Sequence, residues 1–372
     1  MDQREKEWRL SEMKKAAAFL LSLMIVFAMM AAMAEETYHF EIVSKGFQAT
    51  YWQAVLKGAR DEVSRLNEEA GYEMITMNFV GPDSEADITQ QVQQFTSALN
   101  ANPDAIGFAA VDQNAFKDLL STAMSRGVPI IGFDSGVPGA PDGAVYANAS
   151  TDNYAAGAAA ADGMWEKIAA RIASSDAPVR IGEVNQDATG ESVTRRGLGF
   201  IDRIMDLAAE QGWKAAVTGN EFYVDSVKGD KSSEADAKII IEVRVPAQPT
   251  VELCANEAFV LLNKTDLIAV FGSNQVASEG IVAADDNLFV CGTGDATVIA
   301  VGFDSGATLK ATIRMGFLYG AVTQAPVDIG RVTIDLLFAS AKGEPVQDTD
   351  TGCAFYTMDN IDSEEIAQNL YD

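Results

Sequence analysis

Histidine and cysteine, on which many catalytic and metal sites depend, are scarce in this sequence. Its 372 residues include a single histidine, His39, and three cysteines. A histidine-dependent catalytic triad or a histidine-rich metal site is therefore a poor expectation. Cys254, Cys291 and Cys353 lack the spacing of a zinc site, and their odd number leaves at least one unpaired. We favour buried free thiols, and the only disulfide that we consider joins Cys254 to Cys291.

Basic residues are also few. The chain has 27 lysines and arginines against 54 aspartates and glutamates, which gives a formal net charge of −27. Because nucleic-acid binding needs a basic face that neutralises phosphates, we expect no nucleic-acid partner. We also expect no cofactor and no metal, since the sequence contains neither a P-loop nor an EF-hand-like calcium loop. The length and the 48% hydrophobic content predict a folded chain of about two domains.

Only one long apolar run is present, and it lies close to the amino terminus. Two lysines precede an apolar stretch of 18 residues, 16–33, and Ala-Met-Ala at 32–34 closes the segment. This pattern is typical of a secretory signal peptide, with cleavage expected before Glu35 and Met13 as an alternative start. A membrane anchor is the other interpretation, because the run reaches the lower limit for a spanning helix. We favour removal of residues 1–34 and secretion across the cytoplasmic membrane, to the periplasm or the cell surface.

From Tyr38 onward, short β-rich apolar runs alternate with amphipathic helical stretches, a pattern that predicts parallel sheets covered by helices. In the first half we predict strands at 39–44, 73–80, 104–111 and 128–134 and helices at 51–71, 87–103 and 114–127. In the second half we predict helices at 152–172, 192–212 and 275–286 and strands at 179–185, 214–222, 266–273 and 298–304.

Two short sequences occur twice, in the same order. GFDSG at 132–136 recurs at 302–306, and DAIGFAAVDQ at 104–113 corresponds to DLIAVFGSNQ at 266–275. A five-residue identity alone could arise by chance, but a second match one strand earlier indicates duplicated halves. The fold class is therefore α/β, with two lobes that each contain a doubly wound parallel sheet.

Short polar side chains stand where several of these strands end. They are Asp112, Asp134, Asn274 and Asp304. Ligands of open parallel sheets bind outside the carboxyl ends of the strands, so two facing lobes would bring these residues into one cleft. For each residue taken singly, an Asx turn or a helix N-cap is the alternative.

Two aromatic residues, Tyr51 and Trp52, begin the first predicted helix beside this edge of the sheet. An aromatic ring can stack on the C–H face of a sugar while carboxylates and amides accept hydrogen bonds from its hydroxyls. Ordinary packing between the lobes is the alternative. The combination favours a sugar or another small polyol as the ligand.

Several ordered blocks carry a resemblance to a known family: YWQAVLKGA (51–59), VPIIGFDSG (128–136), ANASTDNYAAG (147–157), RRGLGF (195–200), VFGSNQVASEG (270–280), VGFDSG (301–306) and AVTQAPVDIG (321–330). Taken together, these motifs resemble those of the ribose and galactose type of periplasmic solute-binding proteins, whose fold is shared with the ligand-binding core of LacI-type repressors. The similarity covers about residues 38–345.

The resemblance implies a type I periplasmic binding protein fold, in which a three-strand hinge joins the lobes. We expect an N-terminal lobe of 35–149 plus about 325–350 and a C-terminal lobe of 150–324 plus about 351–372. Segment 238–264 departs from the family, because β-branched runs, two prolines and a cysteine replace an amphipathic helix. It is either a genuine insertion or a locally altered reading of the coding sequence.

The resemblance also implies a set of ligand-binding residues. Tyr51 and Trp52 take the place of the aromatics that hold the sugar, with Gln48 beside them. The arginine usual in the second lobe aligns with Thr194, next to Arg195, and Tyr223 supplies that lobe's aromatic ring. The polar contacts come from Asp134, Asn274, Asp304 and Gln324, and Asp112 completes the set from its position at a strand end.

The expected function is that of a monomeric extracytoplasmic receptor without catalytic activity. It captures a small sugar or polyol between its lobes and delivers it to an ABC permease in the membrane. A glycan-acting enzyme that uses the cleft carboxylates is one alternative, and a component that presents ligand to a sensor or chemoreceptor is another. A transcriptional regulator is disfavoured, because a signal peptide stands where a DNA-binding helix-turn-helix would be needed.

Overall fold

The computed structural model describes residues 13–15 and 35–372. The signal peptide expected at 1–34 lies outside these residues except for 13–15, and it stays a prediction. In the part of the chain that is described, no helix combines the length and the apolar character needed to cross a bilayer.

The first of two sheets is built from parallel strands and covered by helices. Its strands are β1 (Tyr38–Val43), β2 (Ile75–Val80), β3 (Ala105–Phe108), β4 (Ile130–Phe133), β5 (Ala147–Ser150) and β12 (Thr349–Asp350). Its helices are α1 (Thr50–Ala70), α2 (Ile88–Asn100), α3 (Lys117–Ser125) and α10 (Pro326–Ala341). The strand order is β12-β5-β4-β3-β1-β2, so the first lobe takes its last strand from far along the chain.

The second sheet is larger. Its strands are β6 (Val179–Val184), β7 (Ala215–Gly219), β8 (Ile239–Arg244), β9 (Leu267–Gly272), β10 (Ile299–Phe303), β11 (Gly320–Gln324) and β13 (Cys353–Thr357). The helices of this half are α4 (Asn153–Ser174), α5 (Glu191–Glu210), α6 (Glu221–Ser226), α7 (Val251–Leu262), α8 (Gln275–Asp285), α9 (Ala307–Met315) and α11 (Glu364–Ala367). The order is β13-β11-β10-β9-β6-β8-β7, and β13 alone runs antiparallel to its neighbour.

The chain passes between the sheets three times: after β5, after β11 and between β12 and β13. Two of the crossings are tied together, because the Thr351 amide donates to the Ser150 carbonyl and the Thr151 hydroxyl donates to the Gly352 carbonyl, each at 3.1 Å. The α/β fold of two parallel-dominated sheets confirms the expected fold class. We retain as a proposal the lobe boundaries at 35–149 plus about 325–350 and at 150–324 plus about 351–372.

Local sequence explains where the elements end. Gly71 closes α1 in the left-handed conformation, with φ of 79°, as a C-capping glycine does. The expected strand 214–222 is too long: β7 stops at Gly219, because the Asn220 side chain accepts a hydrogen bond from the Phe222 amide and starts α6. Every residue of β3 and β4 is buried, as expected for strands that are covered on both faces.

Segment 238–264 is an integral part of the second sheet and its covering layer. The β-branched run forms β8, which pairs in parallel with β6 on one side and with β7 on the other. The helix that follows, α7, buries Cys254 in the core. All three cysteines are free thiols, but the expectation that they are buried is wrong for Cys353, which is exposed on β13 because that strand lies at the edge of the sheet.

Each lobe contains a pair of helices that touch at glycines. A Cβ atom on Gly157 of α4 would lie 1.9 Å from the Arg196 carbonyl oxygen, and one on Gly199 of α5 would lie 2.0 Å from the Tyr154 carbonyl oxygen. In the first lobe, α1 and α10 meet in the same way at Gly58 and Gly330. These backbones are too close for any side chain between them.

We expect Gly157→Val to lower the melting temperature, because the added side chain pushes α5 away from α4. Overpacking of this kind costs about 1–3 kcal/mol or more. The matched control is Ala155→Val, which places the same β-branched residue on an exposed position of the same helix. Calorimetry of both variants checks this, and equal losses would contradict the close-packing explanation.

Candidate ligand-binding site

The two GFDSG repeats form equivalent turns at the ends of β4 and β10. Asp134 and Asp304 both adopt positive φ angles, 56° and 72°, a left-handed conformation that aspartate tolerates better than most residues. The amide of each donates to a carbonyl of the neighbouring strand, Ala149 for Asp134 and Val322 for Asp304. Both side chains are almost fully buried, with 4% and 6% of their surface exposed. The duplication therefore places one carboxylate at the end of each sheet.

These carboxylates line a cavity of about 50 Å³ between the lobes. The first lobe contributes Lys45, Ala49, Tyr51, Trp52, Glu85 and Asp134 to its wall. The second lobe contributes Ser192, Val193, Arg196, Asn274, Gln275, Val276, Asp304 and Gln324. The wall therefore combines two aromatic rings of the first lobe, charged groups of both lobes and side-chain amides of the second lobe.

On the first-lobe side, Asp134 accepts a hydrogen bond from the Tyr51 hydroxyl at 2.6 Å. Burial raises the pKa of Asp134 to about 6, although Lys45, Tyr51 and Arg196 favour its charged form. Burial next to Asp134 and Asp304 also raises the pKa of Tyr51 well above its usual value, so that the phenol stays protonated.

On the second-lobe side, Asp304 accepts hydrogen bonds from the Gln324 side-chain amide at 2.6 Å and from the Gln275 backbone amide at 3.2 Å. The Arg196 Nη1 lies 3.9 Å from the Asp304 Oδ2, the same oxygen that accepts from the Gln275 amide. Burial raises the pKa of Asp304 as well, and Arg196 and Gln324 work in the opposite direction.

Arg196 is fixed tightly in the wall. Its guanidinium lies over the Phe303 ring, 3.5 Å from the centroid, and donates to the Ser273 carbonyl and the Asn153 side chain. The Arg196 Nε and the Gln324 Oε1 are nevertheless buried and have no hydrogen-bond partner among the residues that the structure describes. One donor and one acceptor are therefore free to meet a ligand, and leaving them unpaired has a cost.

The two aromatic residues contact each other edge to face, with ring centroids 4.9 Å apart. Only 7% of Tyr51 and 2% of Trp52 is exposed, so the rings form a rigid part of the first-lobe wall. The Trp52 indole donates to Glu85 at 2.8 Å. Both rings therefore have fixed orientations before any ligand arrives.

A family model for the periplasmic binding protein domain matches residues 40–345. The chain belongs to this family. A search among curated proteins finds no matching sequence.

Solved structures place the chain among transport proteins of the same fold. A protein from Brachyspira murdochii, described as an ABC transporter, LacI family transcriptional regulator, is 32% identical over 90% of this chain and 99% of its own, with a TM-score of 0.74. An ABC transporter solute-binding protein from Agrobacterium vitis, with bound D-fucose, is 25% identical over 90% of this chain and 100% of its own, with a TM-score of 0.72. A carbohydrate transporter solute-binding protein from Agrobacterium radiobacter, in complex with D-arabinose, shares the fold at 24% identity, 91% and 99% coverage and a TM-score of 0.70.

Within this periplasmic binding protein fold, the cavity wall brings together most of the residues expected from the sequence. Those that line it are Tyr51, Trp52, Asp134, Asn274, Asp304 and Gln324. Asn274 also caps α8, since its side-chain oxygen Oδ1 accepts a hydrogen bond from the Ala277 amide. Asn274 is therefore both a helix N-cap, which was the alternative to a binding role, and part of the cavity wall.

The other expected residues lie outside the cavity wall. Gln48 is exposed, and Asp112 forms an Asx turn with the Asn114 and Ala115 amides. The Thr194 hydroxyl donates to carbonyls in its own helix turn, and the Tyr223 hydroxyl donates to the Asp187 carbonyl. Arg195 faces a separate surface recess, where it pairs with Asp152 and Glu191.

Sequence reasoning missed Lys45, Glu85 and Arg196 in the wall. A signal existed for two of them. Arg196 is part of the RRGLGF block, one position after Arg195, and Lys45 stands two residues after the end of β1, near the edge of the sheet where Asp134 directly follows β4. Glu85 lies in an irregular loop between β2 and α2, and no periodicity or motif pointed to it.

The raised pKa of Asp134 gives a pH dependence with a definite sign. The folded state holds the proton of the Asp134 carboxyl group up to about pH 6, whereas the unfolded chain releases it near the ordinary aspartate pKa of 3.8. The contribution of Asp134 to stability therefore falls as the pH rises from about 4 to 6, by up to ~3 kcal/mol. We expect Asp134→Asn to gain melting temperature relative to the wild type on going from pH 4.5 to pH 7. A difference between the two proteins that is independent of pH would contradict this.

Proposed function

We propose that this protein captures a small, uncharged sugar or polyol between its lobes and delivers it to an ABC importer. The observation that carries the proposal is the buried cavity with polar groups from both sheets. Asp134 and Asp304 stand at equivalent strand ends, and Arg196 and Gln324 line the same cavity. Each of these two residues carries a buried polar atom, a donor on Arg196 and an acceptor on Gln324, that has no hydrogen-bond partner among the described residues. A ligand rich in hydroxyl groups can donate to the carboxylates and satisfy both free groups.

Charge favours an uncharged ligand. The cavity wall contains two cations, Lys45 and Arg196, and three carboxylates, Glu85, Asp134 and Asp304. Each cation already has a carboxylate close by: Glu85 lies 3.6 Å from Lys45, and Asp304 lies 3.9 Å from Arg196. An anionic ligand would meet a surplus of negative charge in a site of low dielectric, where repulsion is strong.

Binding requires the lobes to move apart and close again. A cavity of about 50 Å³ has room for only about two water molecules. The lobes contact each other directly, through hydrogen bonds from the Gln113 amide to the Thr189 carbonyl and from the Ser192 amide to the Ser135 hydroxyl. Hinge rotation about the three crossings opens the cavity, and closure buries the ligand.

The comparisons support sugar as the ligand class. The Agrobacterium vitis protein is an ABC transporter solute-binding protein with bound D-fucose, and its similarity to this chain extends over its whole length. With the family and the signal peptide expected at 1–34, this supports an extracytoplasmic receptor. That the receptor acts as a monomer is part of the proposal. We include the absence of catalysis and of a nucleic-acid partner in the proposal.

A ligand screen tests the proposal. The purified mature chain is heated with D-fucose and with a panel of pentoses, hexoses, inositols and other polyols. A ligand that binds only the folded state raises the melting temperature. We expect at least one neutral member to do so, whereas sugar phosphates and sugar acids have no effect. Chromatography should recover the bound compound unchanged, and its conversion to a product would favour the glycan-acting alternative. The proposal would be contradicted if no compound of the panel raised the melting temperature.

We expect Asp134→Ala and Asp304→Ala each to weaken binding of the best sugar by about 1–3 kcal/mol, or about 5- to 150-fold in Kd, because hydroxyl groups lose their acceptors. Asp112→Ala is the matched control, since its carboxylate is engaged in a turn outside the cavity. Calorimetric titration measures all three. Unchanged affinity in both cavity variants, or an equal loss in the control, would contradict the site.

A further inference from the structure

Glu85 connects three groups at the edge of the cavity, and each of its carboxylate oxygens has its own partner. Oε1 accepts from the Trp52 indole at 2.8 Å. Oε2 accepts from the Gln186 side-chain amide at 3.0 Å and lies 3.6 Å from the Lys45 ammonium. Trp52 and Lys45 belong to the first lobe and Gln186 to the second, so one carboxylate joins the aromatic wall to the opposite lobe.

Gln186 is held firmly on its own side. Only 1% of it is exposed, its side-chain carbonyl accepts from Asn274, and its backbone amide donates to the Ser273 hydroxyl. The amide group that faces Glu85 therefore has a fixed orientation. When the lobes separate, Glu85 loses this donor, whereas the contacts within the first lobe can persist.

The loop that carries Glu85 is also fixed. It begins at Gly81, where a Cβ atom would lie 2.4 Å from the Ser44 hydroxyl and 2.6 Å from the Gly46 carbonyl oxygen. A Cβ atom on Gly46 would lie 3.0 Å from the Trp52 ring and 3.5 Å from Glu85. Two glycines thus allow the loop, the indole and the carboxylate to pack closely.

We propose that Glu85 is a positioning residue that latches the closed lobes through Gln186 and holds the Trp52 ring in its ligand-facing orientation. This inference rests on the proposed function, because a latch has a role only in a protein that opens and closes. The carboxylate remains charged across the neutral range. Burial alone would raise the pKa of Glu85, but Lys45, Trp52 and Gln186 outweigh it and hold that pKa below its usual value. Hydrogen bonds to a charged acceptor are stronger than neutral ones and help to offset the cost of burying the charge.

The latch predicts a shift in the balance between open and closed forms. Spin labels at Ser97→Cys on α2 and Ser174→Cys on α4, both exposed, report the distance between the lobes in a Cys353→Ser background. We expect Glu85→Ala and Gln186→Ala each to reduce the closed-to-open ratio at least about fivefold. The double variant should be no more open than the more open single variant, because both changes remove the same contact.

Asp83→Ala is the matched control, since it removes an exposed carboxylate from the same loop and leaves Glu85 in place. The distances are measured without ligand and with D-fucose and the rest of the sugar panel. Additive effects of the two substitutions, or a closed fraction that neither reduces, would overturn the latch while leaving sugar capture intact. A wild type that stays open with every sugar would overturn the proposed function itself.

The orientation of Trp52 gives a second readout. In a ¹⁵N-labelled protein, the Trp52 indole N–H resonance reports its hydrogen bond to Glu85. We expect this resonance to move in Glu85→Ala and Glu85→Gln and to remain in Asp83→Ala. An unmoved resonance in both Glu85 variants would contradict the positioning role, whatever the melting temperatures are.

Discussion

The burial of charge in the cleft is the constraint on which the rest of the structure depends. Carboxylates lose much of their hydration when the lobes meet, and such groups persist in a protein interior only when other groups compensate them. Tyr51 and Gln324 donate to Asp134 and Asp304, and Lys45 and Arg196 stand beside them. Each lobe thus partly compensates the buried charge of its own carboxylate. The Arg196 Nε and the Gln324 Oε1 remain unpaired, and a ligand with hydroxyl groups can form hydrogen bonds with both.

Compensation of this precision requires helices and strands that do not shift. The glycine contacts between α4 and α5 fix the backbone at Arg196, since the carbonyl of that residue is the atom closest to Gly157. The guanidinium is then held by Phe303 and Ser273, on strands and turns of the same lobe. The close packing of Gly157 against Arg196 therefore fixes the backbone of this residue, and Phe303 and Ser273 fix its guanidinium. Together these contacts determine the orientation of the unpaired Arg196 Nε.

Much of this arrangement could be predicted from the sequence, for identifiable reasons. The period of the apolar pattern revealed the alternating elements, and the repeated GFDSG turns marked the two equivalent strand ends. Asp134 and Asp304 were found because each directly follows a strand, where the sheet itself orients the residue. Arg195 was preferred to Arg196 because a match to a motif does not show which of two adjacent helical residues faces inward, and a rotation of about 100° per residue separates them. The position of Glu85 in the wall depends on a loop conformation set by Gly81 and Gly46. Loop conformations do not produce a periodic sequence pattern, so this position could not be predicted.

The position of β8 also has a consequence for how the chain is assembled. β7 precedes β8 in the sequence, yet in the sheet it touches only β8, which lies between it and β6. When the chain folds, β7 has no strand to pair with until residues 239–244 have joined the sheet. The edge of the second lobe is therefore completed out of sequence order, which lengthens the loops that must close and slows that step. During that interval β7 is an unpaired strand, the kind of surface that recruits other chains before the fold is complete.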